Sequence, residues 1–155
     1  MAEPSLTLLV WLLATMYLNF PLWEPYLQPG SHNFSKRANF AGVGVGVLEE
    51  SSSNKLYSQK QLNYFKEVAN LLKQQLGDAE AKNILANAIY LSSFGGADYL
   101  SFINRTPNPT ELQQREYVNM VIGNFTDAIK EIYEMGGRKF ETFGLPTMVE
   151  TRVQS

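Results

Sequence analysis

Cysteine is absent from all 155 residues, which excludes a disulfide scaffold, a thiolate nucleophile and any thiolate metal site. The compartment stays open, because a chain without thiols suits either side of a membrane. Histidine is nearly absent as well: the single one, His32, stands in the stretch QPGSHNF. Charge is sparse, at 18% of residues, and sums to -2 with an isoelectric point near 5.4. The basic residues form isolated pairs, Lys36-Arg37 and Arg138-Lys139, rather than a patch that could follow a phosphate backbone. Nucleic acid is therefore not an expected partner. No cluster of metal-ligating residues is visible, so neither a metal nor another cofactor is expected.

What the chain does have is apolar content, 45% of residues, which is too much for a disordered chain and enough for one domain with a single core. Residues 1–20 stand apart as an apolar N-terminal segment, signal-like in its lack of charge from Pro4 to Trp23. A secretory signal normally carries a positive start, yet the only charge ahead of LTLLVWLLATMYL is Glu3. The apolar core, Leu6 to Leu18, is shorter than the roughly 20 residues of a spanning helix. A signal, a buried helix and a membrane anchor all stay open.

The remainder, residues 21–155, reads as one α/β domain. Three prolines in nine residues, Pro21 to Pro29, block helix and central strand and predict an extended connector. The alternation in ANFAGVGVGVLEE predicts a short strand near Ala38 to Ala41 running into a glycine loop. SQKQLNYFKEVANLLKQQLG predicts a helix, with Ser58 and Gln61 as a capping box and Gly77 as its stop. Its stripe is Leu62, Phe65, Ala69, Leu72 and Leu76. Asp78 is placed as the cap of a second helix reaching about Asn87. AIYLSSF then reads as a buried strand, INRTPNPT as a loop, and Thr110 with Gln113 as a capping box opening a long helix to about Met135. The stripe of that helix runs through Tyr117 or Val118, Val121, Phe125, Ala128 and Ile132. Gly136-Gly137 stop it, and RKFETFGL begins a further strand. Strands alternating with helices imply a parallel sheet, whose ligands bind beyond the carboxyl ends of the strands. Two glycine-rich loops, after Ala41 and after Phe94, meet that condition.

A dinucleotide reading of GVGVGV fails, because G-x-G-x-x-G from Gly42 requires glycine at position 47, which holds Val47. A phosphate loop ending in Gly-Lys-Ser/Thr is also missing. Taken together, FPLWEPYLQPGSHNF, ANFAGVGVGVLEE, IYLSSFGGADYL and VNMVIGNFTDAIKEIYEMGGRKF resemble the GDSL esterase/lipase family of plants. In that family one block reads like N-F-A-S-G-G-A-G and another like G-x-N-D-Y. The resemblance runs roughly from Pro21 to Phe140.

It implies the SGNH-hydrolase (flavodoxin-like) fold, a three-layer α/β/α arrangement around a parallel sheet, here incomplete at both ends. It also implies a serine esterase or lipase acting on carboxylic esters such as lipid acyl esters, and a secreted location. In the family a GDS block supplies the nucleophile and a late D-x-x-H block supplies the base. Neither has a counterpart here, so no catalytic residue is assigned. Of the oxyanion-hole donors, the glycine falls on Gly44, five residues after Asn39, and the asparagine falls on Ala97, whose methyl group cannot donate. His32 is read as a surface residue, Ser92 and Ser93 as strand residues, and Asp98 as a cap for the backbone after the turn. A truncated product and a decayed duplicate both fit these losses. The alternative reading is a non-catalytic acyl-binding or interaction domain. Sequons at Asn33, Asn104 and Asn124 would permit glycosylation of a secreted chain, with Asn124, inside a predicted helix, the one best read as a chance match.

Overall fold

The computed structural model describes residues 26–27, 34–35, 37–42, 44–52 and 58–144. The apolar N-terminal segment, His32, Asn33 and everything after Gly144 lie outside the described residues. In chain order the elements are a 3-10 turn at Glu49–Ser51, helix α1 (Ser58–Leu76), helix α2 (Asp78–Asn87), strand β1 (Ile89–Phe94), helix α3 (Gly96–Arg105), helix α4 (Glu111–Glu134) and strand β2 (Lys139–Gly144). β1 and β2 pair in parallel, from Ile89 opposite Lys139 to Phe94 opposite Gly144. Parallel neighbours cannot be joined by a hairpin, and here α3 and α4 form the crossover.

Each element follows from local sequence. α1 buries Leu62, Phe65, Val68, Ala69 and Leu72, spaced by three and four as one face of a helix requires. Leu76, expected on that stripe, is 43% exposed because the helix ends there. Gly77, at φ 84, turns the chain into α2. α4 opens on the expected box: Thr110 accepts from the Gln113 amide, and the Gln113 side chain accepts from the Thr110 amide at 2.9 Å. Gly136 stops the chain at φ 116, and Gly137 lies where a Cβ would stand 2.9 Å from the Tyr90 ring and 2.8 Å from Ile132.

The core has two parts, and α4 serves both. Toward its C-terminal end Ala128 and Ile132 pack on the cluster formed by α1 and α2. Nearer its start, Tyr117 and Val121 form a second cluster with Val47 and Leu48, flanked by Phe94, Tyr99, Phe102 and Phe125. The sheet contributes the Tyr90 face. Tyr90 stacks on Phe140 at 5.2 Å and meets Phe65 edge-on at 5.6 Å, while Phe94 lies flat on Phe125 at 4.0 Å. Such pairs add about 0.5–1.5 kcal/mol beyond their buried area.

Several expectations need correction. Asp78 is the first helical residue of α2 rather than its cap, which is Gly77, and the first three residues of the expected loop INRTPNPT belong to α3. β1 is not buried on both faces: its burial alternates, and Ile89 is 68% exposed, because described helices cover only the Tyr90 side. The expected strand at Ala38 to Ala41 reduces to an isolated bridge at Asn39. There the Asn39 carboxamide takes the Ala41 amide at 3.0 Å, a local turn that competes with strand pairing. The Ser58/Gln61 capping box does not form, since Ser58 is already helical and both side chains reach back to the preceding loop. The α/β class itself holds, seen as a two-stranded parallel sheet with one helix layer among the described residues.

Two expected outcomes follow from this packing. Thr110→Ala removes the cap of α4 and should lower the unfolding free energy by about 1 kcal/mol in urea melts. Burial holds the Tyr90 phenol up, from 10.0 to about 12, with Arg138 opposing. Tyr26 is likewise raised to about 12, first by its hydrogen bond to Glu67 and then by burial. A folded value above the unfolded one favours the protonated phenol in the native state. Stability from both groups is therefore complete below pH 10 and lost as pH climbs from 10 toward 12. Melts across that window should show the fall, and Tyr90→Phe should make it shallower.

Candidate functional site

β1 ends at Phe94, and the chain turns through Gly95 in the left-handed region, φ 93 and ψ -29. Only glycine suits that site without strain, and an added Cβ would also stand 2.8 Å from the Tyr99 ring. α3 begins at once, so Ala97 and Asp98 lie in its first turn rather than in an open loop. The N-cap of α3 is Gly95, which has no side chain, and Asp98, three residues on, bonds through its carboxylate outside its own helix. It points away from α3, fully buried, into the other glycine loop.

There its carboxylate accepts three hydrogen bonds. Oδ2 takes the Val47 amide at 2.9 Å, and Oδ1 takes the Leu48 amide at 3.0 Å together with the Ser51 hydroxyl. The Leu48 carbonyl also lies 2.9 Å from the Ser51 oxygen, but a hydroxyl has one proton and an ionised carboxylate is the stronger acceptor. Surrounding bonds brace the loop. The Gly46 amide donates to Ser52 Oγ at 2.9 Å, the Ser58 hydroxyl donates to the Val47 carbonyl at 2.9 Å, and Gln61 donates to the Phe40 carbonyl at 2.8 Å. Across the outer side, Arg105 at the end of α3 pairs with Glu50 at 3.2 Å. From α4 the Tyr117 hydroxyl donates to the Asp98 backbone carbonyl at 3.1 Å. Burial first, and then the Asp98 charge, raises the Tyr99 and Tyr117 phenols, so both stay neutral.

Gly46 is tied to this arrangement by space. A Cβ there would lie 2.6 Å from Asp98 Oδ1 and collide with Ser51 Oγ. Gly44 sits two residues earlier, half-buried, in a turn at φ 68. Three peptide units of about 3.8 Å each separate it from Val47, so its Cα lies within about 11 Å of the Val47 Cα. Ala97 is half-buried and immediately precedes Asp98. The two segments carrying the expected oxyanion positions are thus bonded to one another, through residues that flank both.

Other expected positions are spread out. Ser92 lies on β1 and reaches the Glu141 carbonyl at 3.5 Å, and Ser93 is exposed opposite Phe143. Among the described residues no group of three His, Asp or Glu side chains is placed to hold a metal, and no helix is long and apolar enough to cross a membrane. Beside the Asp98 cluster a groove of about 640 Å³ is lined by α3, α4 and the loop between them, including Tyr99, Phe102, Ile103, Pro107, Tyr117 and Val118. No ionised side chain lines it. Sequence reading gave Asp98 a local capping role and singled out neither Ser51 nor Ser52. Nothing local signals a partnership across 47 residues.

Fold and site define a parallel α/β protein with two coupled glycine loops, one of them at the carboxyl end of a strand. Comparison with known proteins narrows this. The profile described as GDSL-like Lipase/Acylhydrolase matches residues 8–153, and the chain belongs to that family. It is 40% identical over 132 residues to a GDSL lipase of Tanacetum cinerariifolium, covering 84% of this chain and 34% of that protein. It is 40% identical over 128 residues to GDSL esterase/lipase 1 of Arabidopsis thaliana, covering 80% of this chain and 34% of that one. Another relative, 33% identical over 124 residues, is named Inactive GDSL esterase/lipase-like protein 25 of Arabidopsis thaliana; the match covers 80% of this chain and 27% of that protein. The chain therefore spans about one third of the length of the curated relatives it matches. No solved structure matches it.

Replacing Asp98 tests the coupling. Asp98→Asn puts an NH2 where one backbone N–H needs an acceptor, at about 1–3 kcal/mol for each donor left unpaired. Gly46→Ala should cost about 1–3 kcal/mol by overpacking. Denaturant melts check both, and a loss under 0.5 kcal/mol for Asp98→Asn, below the range for one orphaned donor, would contradict the geometry.

Proposed function

We propose that this chain carries the oxyanion-loop portion of a GDSL carboxylic ester hydrolase and that its 155 residues do not turn over an ester by themselves. The observation that carries the reading is the Asp98 carboxylate bound to the Val47 and Leu48 amides. That bond holds the Gly44 loop against the turn containing Ala97. An oxyanion hole works by fixing N–H donors before charge develops on the attacked carbonyl, so a rigid join between two donor-bearing loops is what such chemistry needs. Gly44 supplies a backbone N–H to that hole. Ala97 stands where the family's asparagine would donate, and the absence of one such donor typically costs about 2.7–4 kcal/mol of transition-state stabilisation.

The larger deficit is in the reacting groups. The sequence has no GDS block and no histidine besides His32. A serine hydroxyl without an adjacent base is a poor nucleophile near neutral pH. The lipase and esterase/lipase names of the relatives support lipid acyl esters as the substrate class, and a secreted location is part of the same proposal, taken from the family resemblance. A second reading, a non-catalytic acyl-binding domain, is favoured by the uncharged groove beside Tyr99 and Phe102.

Hydrolysis of p-nitrophenyl butyrate separates these. The purified chain should show no rate above buffer, and Ala97→Asn should not create one, because a restored donor has no attacking group to serve. Turnover abolished by a serine-phosphonylating reagent would overturn the proposal. If octanoate shifts only the amide resonances of the groove residues, and saturably, the acyl-binding reading is supported; shifts absent at millimolar ligand argue against it.

A further inference from the structure

Asn33, Asn104 and Asn124 each begin an N-x-S/T triplet, the acceptor pattern for N-linked glycans. Asn33 lies outside the described residues. The fold treats the other two differently. Asn124 is in the middle of α4, where its Nδ2 donates to the Met120 carbonyl at 2.9 Å and Thr126 Oγ1 donates to the Ile122 carbonyl at 2.8 Å. At about 100° per residue, side chains two apart on a helix point to opposite sides, so this hydroxyl cannot meet this carboxamide. Asn104 is exposed and is the last residue but one of α3. Thr106 has left the helix, at φ -128 and ψ 76, and the following chain is irregular through Pro107, Asn108 (φ 62) and Pro109. Arg105, between them, is drawn aside to Glu50.

Helix length adds an argument about timing. Isolated helices shorter than about 12–15 residues are marginal in water. α3, with 10 residues, falls below that length, whereas α4 has 24 and its own capping box. Helices form within about a microsecond, while chains lengthen at about 5–20 residues per second. The Asn124 triplet therefore sits in the segment better able to become helical early, and the Asn104 triplet in one that is marginal as a helix until tertiary contacts form.

We propose that Asn104 is an N-glycan acceptor and that Asn124 is not. In the transfer, Asn104 Nδ2 bonds to the anomeric carbon of a polyprenyl-diphosphate-linked oligosaccharide. The anomeric C–O bond to the diphosphate breaks, the lipid diphosphate leaves with the electron pair, and one Nδ2 proton passes to the transferase. The inference rests on the reading that the chain enters the secretory pathway, so the test has two arms.

In the first arm the full chain is expressed behind a cleavable secretory leader, and occupancy is measured site by site by mass spectrometry after glycosidase release. Asn104 should be occupied in most molecules and Asn124 at least tenfold less. Asn104→Gln and Thr106→Ala should each abolish the glycan at Asn104. Ile122→Pro, which breaks α4 beside the second triplet, should raise occupancy at Asn124. Asn104 bare, Asn124 occupied as fully as Asn104, or Asn124 unaffected by Ile122→Pro would overturn the proposal. In the second arm the chain keeps its own N-terminus. A glycan with the leader and none without it would overturn the secretory route while leaving the choice of asparagine intact.

Discussion

The arrangement depends on one buried carboxylate. Taking an ionised aspartate out of water costs several kcal/mol unless its oxygens are satisfied, and Asp98 is fully buried. Two backbone amides and one hydroxyl meet that need, all from residues 47–51. The same bonds satisfy two amides in a segment without regular pairing, where orphaned N–H groups would otherwise be costly. The loop and the carboxylate are therefore stable only together. Neighbouring choices follow from this. Glycine is required at 46 because any Cβ would enter the carboxylate's space, and α3 starts without a side-chain cap because its N-cap is Gly95, while its acidic first-turn residue is bound to the other loop.

Packing holds the two segments in reach of one another. Val47 and Leu48 are buried against Tyr117 and Val121 of α4, so the amides that bind Asp98 belong to residues anchored by their own side chains. Tyr117 joins both roles, stacked on Phe102 at 4.3 Å while its hydroxyl holds the Asp98 carbonyl. α4 then carries the link onward to the cluster around α1 and α2, and the 2.6 Å Lys66–Glu131 pair on its outer edge is too exposed to add much. Among the described residues the site is held through a shared helix rather than through a large sheet.

Much of this was legible from local pattern. The Thr110/Gln113 box, the Leu62-to-Leu72 stripe, the glycine stops and both β strands are short-range features, set by capping, helical spacing and backbone freedom. The family was legible because several short blocks occur in order. Long-range wiring was not. Ser58 and Gln61 fit a capping box by spacing, yet both bind the loop before α1. Asp98 fits a cap by position, yet its partners lie 47 to 51 residues earlier. A polar side chain near a helix start has several acceptors or donors in reach, and only tertiary packing chooses among them.

Native-state amide hydrogen exchange at Val47 and Leu48 tests the central claim most directly. If the Asp98 carboxylate locks the glycine loop to α3, both amides should exchange as slowly as those of Val121 in the middle of α4, opening only when the surrounding core opens. Exchange at Val47 and Leu48 as fast as in an unstructured peptide, with the α4 amides still protected, would contradict it.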